Sequence, residues 1–114
     1  MSFANESEIL VNGLVQAEYK NACEKWGIKY NSMHEGFAVL LEEVEEVEWE
    51  LIKLKANKDQ LWNKIKGIEG CLSHFSYLSM IEEHAINGIQ ELAQVIAVVQ
   101  KLKNTAEVKD DYKS

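Results

Sequence analysis

The sequence predicts an all-α protein, an antiparallel helical bundle of three long helices and one short one. Three observations support this fold class. The 114 residues include no Pro and only six Gly, so few positions interrupt a helix. Apolar residues recur at steps of three and four along most of the chain. The proportions of apolar residues, 46%, and of charged residues, 27%, are ordinary for a globular domain.

The first long helix is predicted from about Asn5 to Trp26. Gly27 follows it, at the position where a glycine commonly ends a helix. The helical stripe consists of Ile9, Leu10, Leu14, Ala17, Ala22 and Trp26.

The second long helix has the clearest pattern. Ser32 and Glu35 have the spacing of a capping box, in which each side chain accepts from a backbone N–H of the first turn. The helix is predicted to end at roughly Lys55. Its amphipathic stripe consists of Phe37, Leu40, Leu41, Val44, Val47, Leu51 and Leu54.

A short helix and the last long helix follow. Asp59 is predicted to cap the short helix, which contains Leu61, Trp62 and Ile65 and breaks near Gly67. The last helix is predicted from near Ser73 or Ser79 to Lys103. Its apolar stripe consists of Leu78, Ile81, Ala85, Ile89, Leu92, Ile96 and Val99.

Residues 1–104 are expected to form a single helical domain, and residues 105–114 a polar tail. The wide apolar faces predict that copies of the domain associate as a homodimer or homotetramer. No apolar signal core begins the chain, and no apolar run approaches the ~18 residues of a membrane span. With Cys23 and Cys71 interpreted as reduced thiols, this predicts a cytoplasmic protein without a membrane partner.

The charge balance excludes one class of partner. The net charge is −7, and all 12 basic residues are Lys. An acidic chain repels phosphate backbones, so no nucleic-acid polymer is expected as a ligand. A bound polyphosphate would need metal ions, Lys side chains or backbone amides, because the chain has no guanidinium group.

Acidic residues are concentrated on the second helix. Glu43, Glu46 and Glu50 are spaced i, i+3 and i+7 and line one edge of the apolar stripe, and Glu42 precedes Glu46 by one turn. The run is either a solvated helix face or one half of a Mg²⁺ site, since Mg²⁺ takes oxygen ligands.

The last helix offers a second half for such a site. Glu91 borders the apolar stripe, and Gln94 follows it by three residues. His84 and Asn87 lie on the same side as Glu91, one or two turns earlier. A single Glu beside an apolar stripe is ordinarily a flanking polar residue. It becomes a candidate ligand here because the second helix supplies the complementary carboxylates.

Two stretches of the chain resemble the MazG-like nucleoside triphosphate pyrophosphohydrolases of the phage and Firmicute branch. Residues 31–50 are similar to the first family motif, in which Glu42, Glu43 and Glu46 match a Glu-Glu-x-x-Glu sequence on a helix. Residues 85–101 are similar to the second motif region, which is weak alone. The resemblance covers about 31–103, roughly two-thirds of the chain.

The resemblance implies a MazG-like fold that binds Mg²⁺, or Mn²⁺, and cleaves a nucleoside triphosphate to the monophosphate and pyrophosphate. It implies metal ligation by Glu43, Glu46, Glu91 and Gln94. Gln94 stands where the family has Asp, and its amide oxygen can coordinate a metal but carries no charge. By the same resemblance, Glu42 and Glu46 are the candidate catalytic residues, with Glu42 a ligand or a base. His34, Asn87 and Lys101 are the candidate substrate-binding residues.

Two other functions compete with this interpretation. Gln94 in place of Asp is consistent with a nucleotide- or metal-binding relic that has no turnover. The wide apolar faces, with Trp49 off the main stripe, are consistent with a helical oligomeric interaction module. His74 and His84 lack metal-ligand spacing and are interpreted as structural or solvated residues.

Overall fold

The computed structural model describes residues 5–68 and 70–110 and contains three helices in that part of the chain. They are α1 (Glu6–Trp26), α2 (Met33–Lys66) and α3 (His74–Asp110). No strand occurs among these residues. The prediction of an all-α helical bundle is confirmed, whereas the prediction of four helices is wrong.

The predicted ends of α1 agree with the structure. The Asn5 side chain accepts a hydrogen bond of 2.9 Å from the Glu8 backbone N–H, which caps the first turn. Gly27 has φ 83° and donates its N–H to the Cys23 carbonyl at 2.8 Å. This backbone conformation, with a positive φ and an extended ψ of 175°, is one that a glycine adopts at little cost.

Helix α2 begins as predicted but is much longer. The Glu35 N–H donates to Ser32 Oγ at 3.1 Å, which forms the N-cap. The predicted break near Lys55 does not occur, and the predicted short helix is the last part of α2. No Gly or Pro stands within 37–66, and the Asn57 side chain donates to the Lys53 carbonyl within the helix. The helix ends at Gly67, which has φ 75°.

Helix α3 extends further than the sequence predicts. Ser73 Oγ accepts from the Ser76 N–H at 3.0 Å, so Ser73 is the N-cap. The helix continues through Asp110, past the predicted end at Lys103. Thr105 is buried, donates to the Lys101 carbonyl and accepts from the Tyr30 N–H at 3.0 Å. Residues 105–110 of the predicted tail therefore continue the helix, and 111–114 lie outside the described residues.

The chain divides into two compact units. The first unit consists of Met1–Val44 and Leu92–Ser114. In it, the Asn104 side chain donates to the Tyr19 hydroxyl at 2.8 Å and to the Ile28 carbonyl at 3.0 Å. These bonds attach the last helix to α1 and to the segment that follows it. The buried apolar side chains of this unit include Val15, Ala93, Ala97, Val98 and Leu102.

The second unit, Glu45–Glu91, is a helical hairpin made from the end of α2 and the start of α3. Glu50 contacts His84, and Glu46 approaches Glu91, so the two helices run antiparallel. Among the described residues of this unit, only Val47 and Tyr77 are buried large apolar side chains.

About half of the residues in the predicted apolar stripes are exposed, and most of the others are only half-buried. On α3, Leu78, Ile89 and Leu92 are 50–55% exposed. On α2, Phe37 and Leu51 are 56–60% exposed. The residues buried on α3 are instead mainly smaller ones, together with Lys101. Within the described ranges, no helix has the length and apolar character that a membrane crossing requires.

Candidate metal centre and adjoining cavity

Carboxylates from α2 and α3 converge at one place. In the second unit, Glu46 of α2 approaches Glu91 of α3, and Glu43 lies one turn before Glu46 on the same continuous helix. Each of the three residues offers a carboxylate oxygen, and these oxygens lie within 4.8 Å of one another. Glu43 and Glu91 are half-buried, whereas Glu46 is exposed. We call these three residues the carboxylate group.

The carboxylate group is a candidate site for a small hard cation. Mg²⁺ binds oxygen at about 2.0–2.1 Å, so ligand oxygens on opposite sides of the ion are about 4.2 Å apart. The oxygens of the carboxylate group lie within 4.8 Å of one another, which is wider than that limit, so the side chains would have to move closer together to hold the ion. Three negative charges at such distances repel one another, and a divalent cation would neutralise most of that charge. Of the predicted ligands, Glu43, Glu46 and Glu91 are therefore brought together.

Glu50, one turn after Glu46, has a different set of partners. His84 Nδ1 lies 2.8 Å from Glu50 Oε2, and both side chains are only 14–15% exposed. The His84 hydrogen bond lowers the pKa of Glu50 most, with smaller contributions from Lys53 and from a hydrogen bond with Asn87. Desolvation opposes this shift but does not reverse it. Asn87, predicted to bind substrate, therefore contacts Glu50.

Sequence reasoning missed this Glu50–His84 pair. The spacing of the acidic residues places Glu50 on the same helix edge as Glu43 and Glu46, but it identifies no specific partner for His84. The available signal was the i, i+3 spacing of His84 and Asn87 on the side of α3 that carries Glu91. The pair fixes the position of the Glu50 carboxylate beside the carboxylate group.

A cavity of ≈ 640 Å³ lies in the first unit, lined by residues of α1, the segment after it, α2 and α3. Three predicted site residues line it, namely Glu43, Gln94 and Lys101. Glu43 thus belongs to both the carboxylate group and the cavity wall. The other polar lining residues are Glu18, Asn21, Lys25, Tyr30, Asn31 and Glu35.

Lys101 is the most buried charged residue of the described chain, with 1% of its surface exposed. Its ammonium nitrogen lies 4.3 Å from the centroid of the Tyr30 ring, a cation–π contact that compensates in part for lost hydration. Burial raises the pKa of the Tyr30 hydroxyl, and the nearby Glu43 and Glu35 carboxylates raise it further. Tyr30 therefore stays neutral, and the cavity wall contains both a cation and carboxylates.

Two predicted site residues lie elsewhere. His34, in the first turn of α2, and Glu42 are both exposed. Neither is a member of the carboxylate group or of the cavity lining.

Comparison of the chain with protein-family models, curated proteins and solved structures finds no match. The resemblance to MazG-like proteins therefore stays a prediction from the sequence, and the site must be interpreted from its own geometry.

Proposed function

We propose that this chain is a Mg²⁺-dependent nucleoside triphosphate pyrophosphohydrolase, which converts an NTP or dNTP to the monophosphate and pyrophosphate. The observation that carries the proposal is the convergence of Glu43, Glu46 and Glu91 from two helices. These are three of the residues that the sequence resemblance marks as metal ligands.

The carboxylate group would hold the metal, and Gln94, which the sequence resemblance marks as a ligand and which lines the cavity of the first unit, would be a further oxygen donor. When bound, Mg²⁺ or Mn²⁺ would neutralise phosphate charge and activate a water molecule. With Gln94 in place of an acid, the side chains contribute three negative charges. The site therefore repels a polyphosphate less than it would with a fourth carboxylate.

The cavity would hold the rest of the nucleotide. Its volume of ≈ 640 Å³ lies within the range of small-molecule sites, about 300–1,000 Å³. Lys101 supplies a positive charge in the cavity wall. Because the chain has no Arg, a phosphate group can contact a cationic side chain only at Lys. Burial strengthens the attraction between this ammonium group and an anion, because little water separates them.

In the proposed reaction a water oxygen bonds to the α-phosphorus while the bond from that phosphorus to the α–β bridging oxygen breaks. Pyrophosphate leaves with the bridging oxygen. Glu46, the member of the carboxylate group that the resemblance also marks as catalytic, accepts the proton of the water. Tight positioning of Glu50 by His84 keeps a further carboxylate next to Glu46 on the same helix edge.

Direct detection of both products tests the proposal. The purified chain is incubated with each NTP and dNTP and millimolar MgCl₂, and monophosphate and pyrophosphate are separated by anion-exchange chromatography. Glu46→Gln and Glu91→Gln are expected to reduce turnover at least about 100-fold, the order of loss that follows removal of one group that stabilises a transition state electrostatically. Glu45→Gln is the matched control, because Glu45 is exposed on the same helix outside the carboxylate group.

Gln94 favours a second candidate function, binding of a metal–nucleotide complex without turnover. In that case MgCl₂ and a nucleotide stabilise the wild-type chain against unfolding, Glu46→Gln removes the effect, and no pyrophosphate appears. Turnover that disappears in Glu46→Gln rules this candidate out. The absence of both binding and turnover rules out both functions.

A further inference from the structure

Tyr30, in the segment between α1 and α2, is held from three sides within the first unit. Its backbone N–H donates to Thr105 Oγ1 at 3.0 Å, and this hydroxyl donates in turn to the Lys101 carbonyl at 2.9 Å. Its ring packs on the first turn of α2, where a Cβ added at Gly36 would lie 2.7 Å from Tyr30 Cδ2. The centroid of the ring lies 4.3 Å from the Lys101 ammonium nitrogen. Contacts from α2 and α3 therefore fix the position of this ring.

The Tyr30 ring in turn orients the Lys101 side chain. A lysine ammonium group sits at the end of a flexible four-carbon stem, so its direction has to be set by its surroundings. Only 1% of Lys101 is exposed, and its ammonium group rests on the ring. The ring attracts a cation through its quadrupole and has no net charge, so this contact holds the ammonium group without cancelling its charge.

The two residues are also connected through their backbones. The Thr105 hydroxyl bonds to the Lys101 carbonyl and to the Tyr30 N–H, and Thr105 is itself buried. The spacing of the ring and the ammonium group is therefore set before any ligand binds. A pair that is arranged in advance loses less conformational entropy when it binds a ligand.

The charges of the cavity wall indicate the class of ligand that this pair would contact. Five charged residues line the cavity, two Lys and three Glu: Lys25, Lys101, Glu18, Glu35 and Glu43. An anion without a counterion would meet a net negative wall. A phosphate group that carries Mg²⁺ has charges of both signs, and the wall can attract both. Lysine ammonium groups are common partners of phosphate oxygens.

We propose that Tyr30 positions Lys101 and that the pair forms the subsite for the pyrophosphate part of the substrate, its β- and γ-phosphates. The inference rests on the proposed function and names the part of the nucleotide that Lys101 binds. Most of the negative charge of a nucleoside triphosphate lies on these two phosphates, so a buried cation gains the strongest attraction there. Tyr30 acts through Lys101 and is a positioning residue.

Binding of inorganic pyrophosphate in millimolar MgCl₂, measured by isothermal titration calorimetry, tests the proposal. Tyr30→Phe should keep the wild-type dissociation constant within about twofold, because Phe offers the same ring face to the cation. Tyr30→Leu should raise the constant roughly tenfold, which corresponds to about 1.4 kcal/mol and lies in the range of a desolvated cation–π contact. Lys101→Met should raise it further, because it removes the charge itself.

Tyr19→Leu is the matched control. Tyr19 is a half-buried tyrosine of the same unit, and its hydroxyl accepts a hydrogen bond from the Asn104 side chain. It is not part of the cavity lining. Its replacement therefore reports the effect of a lost tyrosine contact alone, and the affinity for pyrophosphate should stay at the wild-type value.

Steady-state kinetics separates positioning from general damage to the chain. Tyr30→Leu should raise KM for the nucleotide and weaken inhibition by pyrophosphate, each roughly tenfold, with kcat within about twofold of the wild type. Tyr30→Phe should restore both constants. A purely structural role would instead lower the fraction of active chain, which reduces kcat and leaves KM unchanged.

A measurement on the wild type keeps the test valid if Tyr30→Leu unfolds. In a chain with isotope-labelled tyrosine, pyrophosphate with MgCl₂ should shift the ring signal of Tyr30 in the NMR spectrum, relative to MgCl₂ alone. That signal is identified by its absence from Tyr30→Phe. The ring signal of Tyr19 should not move.

Two results overturn the proposal directly. The first is equal affinity of Tyr30→Leu and the wild type for pyrophosphate, or no binding by the wild type. The second is equal loss in Tyr30→Phe and Tyr30→Leu, which would make the hydroxyl group the contact. Pyrophosphate binding that depends on Tyr30 and Lys101 without nucleotide cleavage supports the subsite and refutes the enzymatic proposal. Cleavage with an unchanged KM in Tyr30→Leu refutes the subsite alone.

Discussion

Substitution of one acidic residue of the carboxylate group should have opposite effects on stability with and without Mg²⁺. We choose Glu46→Gln, which keeps the shape of the side chain and removes its charge. Glu46 is the exposed member of the group, so the substitution disturbs little packing.

The size of the effect follows from the distances. Two carboxylates 4.8 Å apart repel by about 1 kcal/mol in a water-like dielectric. Glu46 has two such neighbours, and screening at an exposed position reduces the sum, so removal of its charge should raise the free energy of unfolding by about 1 kcal/mol. An ion that binds only the folded chain, at 100 times its dissociation constant, adds about 2.7 kcal/mol to the wild type. The variant should gain little of this stabilisation from Mg²⁺.

The assay is urea unfolding followed by circular dichroism, with and without MgCl₂, on the wild type, Glu46→Gln and Glu45→Gln. The Glu46 variant should be the more stable chain without Mg²⁺ and the less stable one with it. The control should respond to Mg²⁺ as the wild type does, because Glu45 is outside the carboxylate group. If Mg²⁺ stabilises all three chains equally, or none of them, the carboxylate group is not a metal site.

Three further predictions concern the support of the site. Gly36→Ala should lower the free energy of unfolding in urea by about 1–3 kcal/mol, because a Cβ there would overlap neighbouring side chains. Gly13→Ala should instead stabilise α1 by up to about 1 kcal/mol, because no neighbouring atom lies within 4 Å of the added Cβ. Thr105→Val should cost about 1–3 kcal/mol, because it leaves the part-buried Tyr30 N–H without its acceptor, and Thr105→Ser should not. The pKa of Glu50 is held below its usual range, so its contribution to stability is complete above the usual carboxyl pKa and is lost as the pH falls through the lower folded value. Glu50→Gln should therefore be less sensitive than the wild type to acid unfolding between neutral pH and pH ~3, and an identical acid dependence would contradict the assigned pair.

Local sequence patterns predict the helical class and most of the helix ends correctly. These features depend on local interactions, such as the Ser32 N-cap and the positive φ of Gly27, which need only neighbouring residues. The predicted break near Lys55 failed because Asn57 has a helical alternative, donation to the carbonyl four residues earlier. The predicted end at Lys103 failed because Thr105 is held by Tyr30, which is distant in sequence.

Contacts between helices determine which side of each helix is buried and which acidic residues meet. Spacing placed Glu43 and Glu46 on one helix edge, but only the packing of α2 against α3 brings Glu91 to Glu46 and His84 to Glu50. Periodicity identifies an apolar stripe without identifying what covers it. The same 3–4 spacing serves a core within one chain or a seam between two chains, so that choice depends on contacts between residues far apart in sequence.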